Sequence, residues 1–83
     1  MLQRTTDEFS AESVPAGLLR AHRLASGVWG LLRVTGGSLA FVWEVDPDDP
    51  VILIEGDVMV IPPEVPHRVE PRAGVRFVVE FHR

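Results

Sequence analysis

An all-β fold of about seven short strands, closed as a sandwich or small barrel, is the class these 83 residues predict. Three observations carry it. Apolar and polar residues alternate with a period of two over 38–46 and again over 75–82, the pattern of a half-buried strand. Glycine or proline turns separate one candidate strand from the next along the chain. The apolar run Val58 to Ile61 is short and mostly β-branched, which favours a buried strand over a helix.

In chain order, residues 1–13 are polar and read as an N-terminal arm, in which 7–13 form either a single helical turn or an extended stretch with Phe9 pinned to the body. Val14-Pro15-Ala16-Gly17 is a turn, because proline disfavours helix before it and glycine permits reversal after it. Leu18 to Leu24 reads as the first strand, with Leu18, Arg20, His22 and Leu24 on one face; Leu-Leu-Arg-Ala also suits a helix in isolation. Val28 to Val34 is a strand, and Thr35-Gly36-Gly37 is expected to close a hairpin. Ser38 to Asp46 follows, with Leu39, Phe41, Trp43 and Val45 facing the core. Asp46-Pro47-Asp48-Asp49-Pro50 is a solvated acidic turn whose spacing lacks the alternating oxygen ligands of a calcium loop. Short strands are expected at Val51 to Glu55, Asp57 to Ile61 and His67 to Glu70. Val75 to His82 closes the set, with Val75, Phe77, Val79 and Phe81 on one side.

Size and charge narrow the functions. Eighty-three residues make one domain near the lower limit for a self-sufficient core. The hydrophobic fraction is 46% and mean hydropathy is +0.15, high for so small a chain. That apolar excess predicts a homodimer. Twelve acids against eight arginines give a net charge of −4, which argues against a nucleic-acid surface and offers nothing to an anionic membrane. Without cysteine there are no disulfides, thiolate ligands or thiol nucleophiles. No apolar run approaches the roughly 20 residues that span a bilayer. The start MLQRTTDEF has no apolar core behind its charges, so a cytoplasmic protein without a signal peptide is expected.

The densest punctuation lies between Gly56 and His67, GDVMVIPPEVPH. Gly56-Asp57 makes a tight turn. Pro62, Pro63 and Pro66 fix φ and remove backbone donors, so the loop must present His67 at a nearly fixed position. Alternation then sends His67 inward with Val69 and Glu70 outward. His22 shares a face with Leu18 and Leu24 and also points inward. Glu64, three residues before His67 in the same stiff loop, could reach a shared ion. Two imidazoles and a carboxylate with open positions suit a divalent metal: zinc or ferrous iron first, then manganese or nickel. The competing readings are a metal-free polar pocket for the histidines, and for Glu64 a salt bridge to Arg68 or a loop cap. His82 reads as peripheral, and Arg20 as a rim residue or an anion contact.

Gly56, five residues, Pro62, four residues, His67 resembles the second conserved motif of the cupins, with Glu64 where that motif usually has glycine. From Thr6 to Arg83 the chain resembles more closely a small cupin-like family related to the N-terminal domain of the TehB tellurite-resistance proteins. The carrying stretches are LLRAHRLASGVW (18–29), VTGGSL (34–39), EVPHRVE (64–70) and FVVEF (77–81). The resemblance implies a cupin-type jelly-roll barrel and tips Leu18 to Leu24 toward strand. It also implies a first-motif metal ligand at His22. The chain departs from the motif where position 24 is Leu and position 30 is Gly, so at most one of three usual first-motif ligands survives. In TehB proteins the similar domain precedes a methyltransferase, which these 83 residues do not contain.

The expected function is therefore a stand-alone metal-binding cupin that takes a small molecule or an oxyanion, in tellurite or oxidative stress. The alternatives are a metal-dependent cupin enzyme, dioxygenase- or isomerase-like, and a metal-free dimeric structural module.

Overall fold

Every strand between Trp29 and Pro71 ends at or within a few residues of a glycine or proline, as expected of a chain that must turn repeatedly. In the computed structural model, which describes residues 1–83, these breaks separate eight strands. They are β1 (Leu2–Thr5), β2 (Phe9–Ser10), β3 (Trp29–Gly36), β4 (Ser38–Trp43), β5 (Val51–Ile54), β6 (Val58–Ile61), β7 (His67–Pro71) and β8 (Arg76–His82). One 3-10 turn, Ala16–Leu19, is the only helical element. No helix is long and apolar enough to cross a membrane.

The strands form two antiparallel sheets. One has the order β1-β8-β3-β6, with β2 also on β8; the other is β5-β4-β7. The connections β3–β4, β5–β6, β6–β7 and β7–β8 each pass from one sheet to the other, so the expected hairpin at Thr35-Gly36-Gly37 is instead a corner between sheets. Gly37 has φ +66°, and a Cβ there would meet Gly74 O and Val75 Cα at 2.8 Å. This corner therefore packs backbone to backbone on the β7–β8 corner, and only glycine fits. The Gly56-Asp57 turn forms as expected: Asp57 N–H donates to Ile54 O, and Asp57 Oδ2 accepts from Ile54 N–H, both at 2.9 Å.

Between the sheets lies one apolar cluster that includes Leu32, Val34, Leu39, Phe41, Phe77 and Val79. The alternation along β8 holds: Val75, Phe77 and Val79 are buried. Along β4 it holds only in part. Ala40 and Val42 point to the outer face yet are buried too, because β4 is central and Val42 lies opposite Arg68, Ala40 opposite Ile52 and Glu70. Val45, expected in the core, is 83% exposed. The strand stops at Trp43, where Asp46 N–H turns back to Trp43 O before Pro47.

Two further expectations need correction. Leu18 to Leu24 is not a strand. Pro15 starts the 3-10 turn, and only His22 reaches β7, through a single antiparallel bridge to His67. Leu24 O accepts instead from Glu64 N–H at 3.0 Å and Val65 O from His67 Nδ1–H, so the Leu24–Val65 pair that would continue the ladder does not form. The N-terminal arm, by contrast, is partly strand: β1 and β2 pair with opposite ends of β8, and Thr6 exchanges hydrogen bonds with Val79 between them. Phe9 is pinned as expected, edge-on to Phe77 with ring centres 5.5 Å apart.

Candidate functional site

The proline loop delivers His67 as its composition demands. Pro62 and Pro63 limit φ, Glu64 turns the chain with φ +62°, and Val65-Pro66 leads straight into β7. His67 is then the only polar side chain buried in the structure, at 3% exposure, beside buried Val69, while Glu70 is exposed. Its ring stacks on Phe41 (centres 5.3 Å apart, 14° between planes) and meets Trp43 edge-on at 6.2 Å.

The ring's chemistry follows from its partners. Nδ1 lies 2.9 Å from Val65 O. A carbonyl only accepts, so Nδ1 carries the proton and Nε2 keeps its lone pair. No buried side-chain nitrogen lacks a partner, so Nε2, which has none in the protein, opens to solvent-accessible space. Burial holds the imidazole below its ordinary pKa; the Val65 hydrogen bond opposes that, His22 adds to it, and Glu44 opposes it weakly. His67 is thus a neutral acceptor at physiological pH.

The backbone bridge that fixes His22 opposite His67 also sets the two rings edge to face, 5.3 Å between centres. Of the three expected ligands the structure therefore brings two together. Glu64 stays apart: it is exposed. Its φ explains why glycine is usual at that point of the motif, since a left-handed residue with a side chain is strained. Arg68 does not pair with it either, being engaged by Glu44 and, at 3.1 Å, by Glu70. No group of three or more His, Asp or Glu side chains converges anywhere. Two imidazoles fall short of the three or four protein ligands that hold zinc, so the donor set for a resident metal is incomplete. His82 is engaged at 3.2 Å by Glu80, away from this pair.

Both histidines line a cavity of about 250 Å³. Leu32, Phe41, Ile61, Val69, Val79 and Phe81 supply its sheet walls, while Leu18 and Leu24 come from the segment around His22. The N-terminal arm adds Arg4, Thr6 and Phe9. Sequence reasoning missed Arg4. Arg20, read from the sequence as a rim residue or an anion contact, is exposed and does not line the cavity. The only available signal was that a polar arm ahead of a glycine-proline turn can still pair through its backbone.

Comparison with known proteins places the architecture. A solved structure of a protein from E. coli (strain K12) superposes with a TM-score of 0.87 at 26% identity, over 98% of this chain and 87% of that one. TehB from Haemophilus influenzae gives 0.88 at 23% identity, over 98% of this chain but only 30% of that one. A cupin-2 domain containing protein from Shewanella frigidimarina gives 0.62 at 19% identity, over 92% of this chain and 62% of that one. These likenesses confirm the all-β, cupin-type jelly-roll fold. No curated relative matches the chain. The model of the TehB-like domain matches residues 4–79, and the chain belongs to that family.

Proposed function

We propose that this chain is a small-molecule-binding cupin whose ligand occupies the cavity beside His22 and His67. The carrying observation is that cavity: its walls are mostly apolar, and His67, the one buried polar side chain, lines it with Nε2 unpaired in the protein. Apolar walls with a few placed polar groups are the usual make-up of a ligand site. At about 250 Å³ it suits a compact metabolite. The kinship with TehB supports tellurite or oxidative stress as the setting in which to look for it.

A metal at His22 and His67 is the second reading. Val65 supports it by locking the His67 tautomer and leaving Nε2 free, as carbonyl partners do for metal-bound imidazoles. Zinc, ferrous iron, manganese or nickel would serve as a Lewis acid there, with remaining donors supplied by ligand or water. Self-association is part of the proposal. Ile52 and Ile54 on β5 and Val58 and Val60 on β6 are exposed on the edge strands of the two sheets, and Trp29 is half-exposed, apolar surface that a second copy would cover.

The test is a thermal-shift screen of a metabolite panel against metal-stripped wild type and Val79→Phe, which fills the cavity. Compounds that raise Tm in the wild type and not in the variant are expected. Equal shifts in both proteins would place binding elsewhere and end the proposal. Metal content of untagged wild type and His67→Ala decides the second reading: stoichiometric metal lost in the variant supports it, and metal-poor wild type removes it.

A further inference from the structure

The N-terminal arm brings a cation to the cavity, and the way it does so indicates the ligand's class. β1 pairs with β8 through a bulge: Leu2 lies opposite His82, but Arg4, not Gln3, lies opposite Phe81. A bulge re-aims the side chain that follows it. Here it sets the Arg4 guanidinium 5.1 Å from the centre of the Phe81 ring, at the cavity wall. Arg33, Arg68 and Arg76 are engaged by glutamates. Arg4 has no carboxylate partner, and it is the only arginine lining the cavity. A guanidinium laid on an aromatic face keeps its N–H fork available to a planar anion. His67 Nε2, left with its lone pair by the Nδ1–H bond to Val65 O, accepts a hydrogen bond and has no affinity for a second acceptor.

We propose, building on the small-molecule reading above, that the ligand is a compact organic acid: a carboxylate held by Arg4, an apolar body against the Phe41 and Phe81 walls, and an O–H or N–H donated to His67 Nε2. An inorganic oxyanion suits the site poorly, because it would surrender its hydration to mostly apolar walls for one cation.

The test titrates 4-hydroxybenzoate, 3-(4-hydroxyphenyl)propanoate, the matched amides, benzoate and inorganic phosphate into metal-stripped protein, followed by NMR. Wild type, Arg4→Gln and, as a surface control, Arg33→Gln are compared. A hydroxy acid is expected to bind about tenfold or more tightly than its amide, as a charge-assisted pair allows. Arg4→Gln should erase that preference while leaving amide binding unchanged, and Arg33→Gln should alter neither. Loss of the hydroxyl in benzoate should weaken binding to the wild type and to the Arg4→Gln variant alike. Acid and amide binding equally in the wild type would overturn the ligand class and spare the cavity reading, as would phosphate competing as well as the acids. Failure of every probe at millimolar concentration would overturn both.

Discussion

Replacing Glu64 by glycine should make the protein more stable, an outcome opposite to that expected of a metal ligand. Glu64 has φ +62°, a conformation that costs a residue with a side chain about 1–2 kcal/mol. Glycine removes that strain but loses about 0.4–1 kcal/mol through the greater freedom of its unfolded chain. The carboxylate is exposed, and the Glu64 N–H bond to Leu24 O survives any side-chain change. The two ranges leave a net gain centred on about 0.8 kcal/mol, with limits of about 0 and about 1.6, or about 3–6 °C in Tm at the centre for a domain of this size. Glu64→Ala keeps the strain and should stay within about 0.5 kcal/mol of wild type. Urea denaturation and calorimetry of both variants, with metal analysis alongside, provide the assay. A destabilised Glu64→Gly, or metal lost in Glu64→Ala, would refute the reasoning and return Glu64 to the site.

Three other variants probe the framework. Gly37→Ala drives a methyl into Gly74 O and Val75 Cα at a positive φ and should cost more than about 2 kcal/mol by urea denaturation. His67 fixes the pH response. Its folded pKa lies below the ordinary 6.5, so the unfolded chain takes up the proton first as pH falls. Its contribution is present above about 6.5 and is lost as pH falls through the folded value, at no more than about 1.4 kcal/mol per pH unit. Denaturation from pH 8 to 5 should show that slope in wild type and a shallower one in His67→Gln. Ile54→Glu with Val60→Glu places charge on the exposed β5 and β6 edges. Sedimentation should find a dimeric wild type and a monomeric variant.

Strand periodicity made half of the site legible. His67 and Val69 lie two apart after a loop with three prolines, and both are buried while Glu70 is exposed. Period-two geometry leaves little freedom there. His22 reached the expected place by another route: a single bridge rather than a strand, because Leu24 O and Val65 O, which would continue the ladder, are taken by Glu64 N–H and His67 Nδ1–H. Alternation at Leu18 to Leu24 cannot report what the neighbouring strand is able to donate. The arm was harder still. Leu2 to Thr5 are all exposed, so no apolar pattern marks them; they are held by backbone pairing with β8, and the bulge that aims Arg4 has no sequence signature. Val45 shows the same limit, since an apolar residue that continues an alternation lies inside the turn that Asp46 N–H closes on Trp43 O. Glu64 was legible as a departure from the cupin motif, and its left-handed backbone gives that departure a physical meaning.

The central claim is that the His22–His67 cavity holds a small organic ligand. It is tested most directly by a fragment screen on metal-free protein, observing the ring resonances of both histidines with the methyls of Val69 and Val79. The account predicts that compact organic acids move these signals together and saturably. Fragments that leave them unmoved, or shift only residues on the outer sheet faces, would contradict it.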